Sequence, residues 1–575
     1  MAVLGVHNAH DAGAGLVHRG RVVSAVNEER FTKRKNEVGF PEHSIKYLLD
    51  SGEDISGVAI PWIGGSVMLT RLFPKIEEER RRLWRREGRK PTRVRMHITN
   101  AVFRIIQDQK PKALWKAAGI SVGKATIGAK LRRIGINQNP VFVEHHVAHA
   151  SSAYYPSGFK EALVLTLDGG GDGVSGSLSI GDNGELKRIN EFRASCSLGA
   201  LYGAATLACD MRYSEDEGKL MSLAAYSYPS EIKELSKFSR YDEKKRQLVS
   251  DSGIKYEFLL AERIKDSILW RYNREAFAYA MQRHLEEQIL KIVRQYIKET
   301  GISRIAVAGG VFSNIIVNML INELPEVKDF FVFPHMGDGG LALGAAYYAD
   351  YMENGRFSSK QIESIYYGPE YSNSYIEKVL QKHKKDGSIA YQEEKDITGR
   401  CAEMLAEENK IVLWFQGKME LGPRALGNRS VLAMANNPKN RDEINIIIKK
   451  RPYYQPFAST ILEEDAKKLL SPYPRCNRFM TSGYRVRPEM FRELIAASHI
   501  DMTTRPQVLG RENRLYRKLL EKIRKRTGIG AVLNTSLNKH GFPIVRTPED
   551  AIWTLMNTGA RHLAIGNFLV EKRKR

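Results

Sequence analysis

At 575 residues, 42% hydrophobic and 27% charged, the chain has room for several cores and the composition of an ordinary globular protein. No apolar run approaches the roughly 18 residues that cross a bilayer. No basic-then-apolar stretch opens the sequence, and Cys196, Cys209, Cys401 and Cys476 form no CxxC pair, so neither a secretory signal nor a thiolate-rich metal site is expected, and a cytoplasmic enzyme is.

The formal charge of +23 calls for anionic partners such as phosphates, nucleotides or RNA. In chain order, AVLGVHNAHDAGAGLVHRGRVVSAV predicts a strand, a Gly/Asp turn, a second strand, a tight turn and a third strand. Residues 61–135 lack that grammar and read as a mostly helical insertion, with the basic run Arg80 to Arg95 as a solvated helix face. VEHHVAHA follows. His145 and His149 stand four apart, so on a helix both imidazoles leave one face, as two ligands of zinc or ferrous iron would. Two ligands are too few, and Asp168 in LTLDGGGDG and Asp338 in FPHMGDGG each follow an apolar run and can complete the set.

ALVLTLDGGGDGVSGSLSIGDNGELKRI repeats the strand-turn-strand grammar. Gly169, Gly170 and Asp172 make its first turn, where successive backbone N–H groups can face a phosphate and an aspartate can hold a metal. RIAVAGGVFSN and FFVFPHMGDGG then read as buried parallel strands closing on glycines, with a nucleotide at their C-terminal ends. Two related lobes clasping a nucleotide resemble actin, hexokinase and the heat-shock ATPases, over about residues 1–355.

The polar stretch from Met352 to about Lys395 marks a boundary, and alternating strands and helices after it predict a second α/β domain over 366–575. Its loop QGKMELGPRALGNRS gathers Lys418, Arg424 and Arg429 among glycines. Lys449 and Arg451 lie two apart, on one side of a strand if one forms there. With Arg505 and the neutral donors Asn534, Thr535, Ser536 and Asn538, they predict a pocket for a phosphate compound. Two phosphate-handling sites suggest sequential chemistry, one activating a small group and the other transferring it.

The ordered set HDAGAGLV, EERFTKRK, HHVAHA, LDGGGDG, DEGKLMSLAAY, GGVFSN, MGDGG, LGPRALGNRS and LNTSLN resembles the antibiotic and nodulation-factor O-carbamoyltransferases (NodU/CmcH type). The resemblance implies an α/β protein: a two-lobed actin-like (ASKHA) domain, similar to the tRNA threonylcarbamoyltransferase, followed by a YrdC-like domain. It implies carbamoyl adenylate made from carbamoyl phosphate and ATP with Mg2+, and transfer of the carbamoyl group to a hydroxyl of a small acceptor. By motif, His145, His149, Asp338 and Asp168 would hold a divalent metal, ferrous iron first, with zinc or manganese as alternatives. Asp11 would be the base and His10 would steady charge on the carbamoyl oxygen. Glu217, Gly218, Lys219, Gly309, Gly310, Asn314 and Gly339, with Gly169, Gly170 and Asp172, would border the nucleotide. Lys418, Arg424, Arg429, Lys449, Arg451, Arg505, Asn534 and Ser536 would take carbamoyl phosphate. Departures from the family pattern fall at Ser222, at Pro452, Tyr454 and Gln455, and at His540 and Phe542. Other readings are a tRNA-modifying (threonyl)carbamoyl transferase, drawn to its polyanion by the +23 charge, and a non-catalytic ATP-clasping regulator. No membrane partner is expected, and a homodimer is compatible with the sequence.

Overall fold

The computed structural model describes residues 1–64, 68, 71–87, 90–108, 112–473 and 475–573; parts of the predicted 61–135 insertion and of the Arg80–Arg95 run lie outside them. The chain divides into two compact units. One comprises Met1–Glu28 and Asn36–Ile362, the other Glu29–Lys35 and Glu363–Arg575.

The first unit contains the same sheet twice. In one, β1 (Ala2–His7), β2 (Gly13–His18) and β3 (Arg21–Asn27) form an antiparallel meander, and β4 (Ile55–Pro61) and β5 (Pro140–Val143) extend it in parallel, giving the order β3-β2-β1-β4-β5. In the other, β6 (Glu161–Gly171), β7 (Val174–Asp182) and β8 (Glu185–Arg193) form the meander, and β11 (Arg304–Ala308) and β12 (Asp329–Val332) the parallel extension, in the order β8-β7-β6-β11-β12; β9 (Arg240–Asp242) and β10 (Gln247–Val249) pair separately. This duplicated arrangement is the actin-like architecture the repeated motif predicts. β1 and β6 are central in their sheets, so their apolar runs are buried on both faces; the loop after β1 carries His10, and Asp168 lies near the C-terminal end of β6 itself.

The helix Leu341–Asn354 packs against the helix His145–Tyr154 and against β1. Gly344 makes the first contact feasible, since a Cβ there would stand 2.0 Å from the carbonyl oxygen of Ala148. Helices Pro74–Trp84, Arg93–Asp108 and Lys112–Arg133 occupy the stretch predicted as a helical insertion. No helix among the described residues is long and apolar enough to cross a membrane.

The second unit is built on an eight-stranded mixed sheet of β13 (Ile389–Glu393), β14 (Val412–Phe415), β15 (Arg429–Met434), β16 (Ala458–Leu462), β19 (Pro506–Leu509), β20 (Ala531–Ser536), β21 (His562–Ile565) and β22 (Phe568–Lys572). The short strands β17 (Tyr484–Arg485) and β18 (Thr503–Thr504) pair beside it. Alternate residues of β14 enter opposite cores, Leu413 and Phe415 on one face and Val412 and Trp414 on the other. All of the EERFTKRK motif but its first residue, Glu28, contributes to this unit rather than to the first: Arg30 Nη2 donates to the carbonyl of Gly422 at 2.8 Å, and the Arg546 guanidinium lies 4.5 Å over the ring of Phe31.

Candidate functional site

Glu144 starts the histidine helix, its carboxylate accepting from the backbone N–H groups of His146 and Val147. One turn on, both imidazoles leave the same face. His149 Nε2 lies 3.2 Å from Asp168 Oδ2 and 3.2 Å from Asp338 Oδ1, and His145 Nε2 lies 3.3 and 3.8 Å from the same two oxygens. One donor atom from each of the four residues lies within 4.8 Å of the other three. Donors about 2.1 Å from a common ion sit about 3.0–3.4 Å apart in octahedral or tetrahedral arrangements, so this cluster has the dimensions of a divalent-metal site. Its nitrogen and carboxylate donors suit iron, zinc or manganese equally.

The electrostatics agree. Burial and their mutual repulsion both favour protonated carboxyls, yet hydrogen bonds from His145 and His149 hold Asp168 below the ordinary carboxylate range. Asp338 is held well below it, against burial, by His10 and His145. Burial opposes a charge on His149, but the two aspartates outweigh it and push its pKa up to about 9. The carboxylate pair demands a cation, which the metal-free protein supplies as protonated imidazole.

His10 adjoins this group, with Nε2 3.0 Å from Asp338 Oδ2 and Nδ1 3.1 Å from Asp11 Oδ2. Burial would neutralise it, but Asp338 and Asp11 raise its pKa well above 6.5, so His10 is cationic between two carboxylates. Asp11 sits in the left-handed region at φ 58°, a conformation aspartate tolerates.

Gly171 carries a requirement the motif did not reveal. A Cβ there would stand 2.2 Å from Cγ of His145. Gly171→Ala is therefore expected to swing that imidazole away and lower affinity for Mn2+ by at least about tenfold, read by calorimetry.

The glycine turn of the second meander behaves unevenly. Gly169 N–H donates to Asp168 Oδ1 at 2.7 Å, orienting the aspartate, and Gly170 takes φ 147°. Asp172, expected at the nucleotide, is instead turned inward. Its carboxylate accepts from the backbone N–H groups of Ile63, Gly64 and His145, tying the Trp62 loop to the start of the histidine helix. Of the other predicted nucleotide residues, Asn314 caps the helix Ile315–Asn322 and pairs its amide with that of Gln282. Gly309 and Gly310 start the turn after β11, and a Cβ on Gly310 would stand 2.8 Å from Asp168 Oδ1. Gly339 follows Asp338 and its carbonyl faces Asn27. Gly218 and Lys219 lie in the helix Glu217–Leu223, where Lys219 pairs with Asp216 at 2.7 Å.

Burial pushes the Glu217 carboxyl up to about 7. Its folded pKa exceeds its unfolded value, so its stabilising contribution is complete below about pH 4.5 and fades as pH rises through 7. Glu217→Gln should consequently raise Tm at pH 8 and leave it nearly unchanged at pH 4.5, as calorimetric scans would show.

In the second unit, Arg424, Arg451 and Arg505 converge, half-buried, with no carboxylate beside them among the described residues. Burial lowers Arg424 to about 10 and Arg451 to about 9, and burial with repulsion from Arg424 and Arg451 lowers Arg505 well below its ordinary value. The Nε atoms of Arg424 and Arg505 are buried without a hydrogen-bond partner. Lys449 is buried too, its ammonium held by neutral oxygens of Ser536 and Asn538, including Asn538 Oδ1 at 2.6 Å. Its pKa is driven well below 10.5 by burial and then by Arg451. Asn534 Nδ2 bonds Ala425 O and Thr460 Oγ1 while its Oδ1 is buried unpaired. Uncompensated cations around polar groups are a site for an anion.

Two expectations for this cluster change. Lys449 ends a π-helical turn and Lys450 is left-handed at φ 48°, so Lys449 and Arg451 do not share a strand. Arg429 is fully buried, stacks 3.7 Å from the ring of Phe415 and donates to the carbonyls of Gln416, Gly417, Asn428 and Pro369, so its fork is spent on the fold. Lys418 is exposed. The residue that shapes this loop is Glu420, whose Oε1 accepts from the backbone N–H groups of Leu426, Asn428 and Arg429.

A family model described as carbamoyltransferase N-terminus matches residues 2–347, and one described as carbamoyltransferase C-terminus matches 402–572. Nodulation protein NolNO of Sinorhizobium fredii is 32% identical over 584 residues, covering 98% of this chain and 79% of that one. An uncharacterized protein of Methanocaldococcus jannaschii is 37% identical over 480 residues, 79% of this chain and 77% of its own. Among solved structures, full-length HypF in a phosphate- and nucleotide-bound form is similar with a TM-score of 0.33 and 12% identity, covering 62% of this chain and 56% of that one.

Proposed function

The chain belongs to the carbamoyltransferase family, and from that premise we propose that it is an ATP-dependent O-carbamoyltransferase working through carbamoyl adenylate. The second unit, of YrdC-like type, makes the adenylate. The first, over about residues 1–355, passes the carbamoyl group to a hydroxyl of a small acceptor. The observation that carries this reading is the convergence of His145, His149, Asp168 and Asp338 in a unit with actin-like topology, where a transfer site would stand beside a nucleotide.

In the activation step, carbamoyl phosphate, ATP and one water give carbamoyl adenylate, pyrophosphate and phosphate. Arg424, Arg451 and Arg505 neutralise the phosphoryl oxygens, and Lys449 holds Ser536 and Asn538 against the same pocket. In the transfer step, the acceptor oxygen attacks the carbamoyl carbon and the bond from that carbon to the AMP oxygen breaks. Asp11 takes the hydroxyl proton, and the positive charge of neighbouring His10 steadies the negative charge that builds on the carbonyl oxygen. A divalent ion held by His145, His149, Asp168 and Asp338 would polarise the carbamoyl group and offset the charge of departing AMP. Gly169, Gly170, Gly309, Gly310 and Gly339 leave room for backbone to approach the adenylate, which Glu217, Gly218, Lys219 and Asn314 also border.

The test is a mass spectrum after incubation with ATP, carbamoyl phosphate and a metabolite extract. A carbamate-sized mass increment on a hydroxyl compound, with AMP and pyrophosphate, supports the proposal. ATP consumption indifferent to carbamoyl phosphate would refute it. The charge of +23 keeps tRNA as a second acceptor class, and tRNA binding that weakens steeply with salt would favour it over a sugar.

A further inference from the structure

Trp62 is absent from every motif read in the sequence, yet it forms a wall of the transfer site. Its ring lies 4.6 Å from that of His145, edge-on, 6.1 Å from His10, edge-on, and 6.3 Å from His7, stacked within 3°. It is only 8% exposed and adopts φ 77°. A bulky residue in the left-handed region is strained, and such strain persists where the surrounding structure enforces it for a purpose. The enforcement is visible on every side. Trp62 N–H donates to Val143 O at 2.8 Å, its carbonyl accepts from Arg71 Nη2 at 3.0 Å, and Asp172 grips the next two N–H groups together with that of His145.

Within this clamp, the indole Nε1 is buried and has no hydrogen-bond partner among the described residues. An indole nitrogen only donates, and a buried donor left unpaired is costly, so it calls for an oxygen supplied from outside the chain. We propose that Trp62 contacts the reactants, donating its indole N–H to an oxygen of bound carbamoyl adenylate while its ring holds His145 in place. This rests on the carbamoyl-transfer reading. The strained loop is also the start of the helical insertion, which gives that insertion a part in the chemistry through its first residues.

The test uses the full chain with Mn2+, ATP and carbamoyl phosphate; with no acceptor added, water takes the carbamoyl group as the bond to AMP breaks. Trp62→Phe keeps the ring and removes the donor. It should retain Mn2+ affinity within about threefold and a wild-type first-turnover burst of pyrophosphate, while the release of AMP that follows slows about 10- to 100-fold. A tryptophan analogue with sulfur in place of the indole nitrogen, incorporated at position 62, should slow AMP release likewise with an unchanged fold. Wild-type AMP release in both variants would overturn the proposal, as would loss of Mn2+ binding in step with loss of turnover, which marks a structural role alone. A wild-type protein with no carbamoyl phosphate-dependent burst would instead refute the proposed function itself.

Discussion

His149→Ala is expected to abolish metal binding and carbamoyl transfer while the first-turnover burst of carbamoyl phosphate-dependent pyrophosphate persists. His149 Nε2 is equidistant, at 3.2 Å, from Asp168 Oδ2 and Asp338 Oδ1, and its removal leaves Asp168 facing His145 and Asp338 facing His145 and His10. Loss of a direct ligand should cost more than the 10- to 100-fold typical of an outer-shell partner, so Mn2+ affinity should fall at least about a hundredfold in calorimetry. The metal-free protein also bears a proton on His149, whose pKa is pushed up to about 9. Metal must displace that proton, so wild-type affinity should rise with pH and flatten near 9, with proton release detectable below that pH. Because the folded pKa lies above the unfolded one, His149 stabilises the metal-free fold fully below pH 6.5 and progressively less up to 9. The Tm deficit of the alanine variant should shrink over the same interval. A variant that lost the pyrophosphate burst together with transfer would contradict the assignment of separate steps to separate units.

What the sequence discloses of this site follows from local geometry. The spacing of His145 and His149 implies a shared helix face, and Asp168 and Asp338 are marked by their place at the ends of apolar strands. The doubled strand-turn-strand pattern likewise announces the doubled sheet, because strand alternation and turn residues act over a few positions. Trp62, Gly171 and Glu420 carry no such mark. Their roles come from contacts with residues distant in the chain, Trp62 with His7 and His145, Gly171 with His145, and Glu420 with a loop that closes back on it. The same limit explains Asp172 and Arg429. Each looks like a ligand-binding group beside glycines, and each is consumed by nearby backbone once the loops fold, Asp172 by N–H groups and Arg429 by carbonyls. A charged residue in a glycine-rich turn is ambiguous until its backbone neighbours are placed.

Arg505→Ala should eliminate pyrophosphate formation, by at least about a hundredfold, with Mn2+ binding untouched. Its effect on stability should run opposite to its effect on activity. Arg505 is crowded by Arg424 and Arg451, and its Nε is buried unpaired, so the ligand-free protein bears the cost of a cation without a counter-ion. Removing it relieves that repulsion, and the ligand-free Tm should hold or rise. The increase in Tm that carbamoyl phosphate and ATP confer on the wild type should at the same time disappear, since ligand binding stabilises only a site it occupies. Arg451→Ala offers the contrast. Arg451 donates through Nε to Asn445 Oδ1 at 2.6 Å and through Nη2 to the carbonyls of Gln455 and Pro456, and stacks 3.8 Å from Phe457. It thus braces the segment from Pro452 to Phe457, and its loss should lower both Tm and the pyrophosphate burst. If Arg505→Ala also lowered the ligand-free Tm, the cluster would be a structural network already paired within the protein, and the anion pocket would have to be sought elsewhere in the second unit.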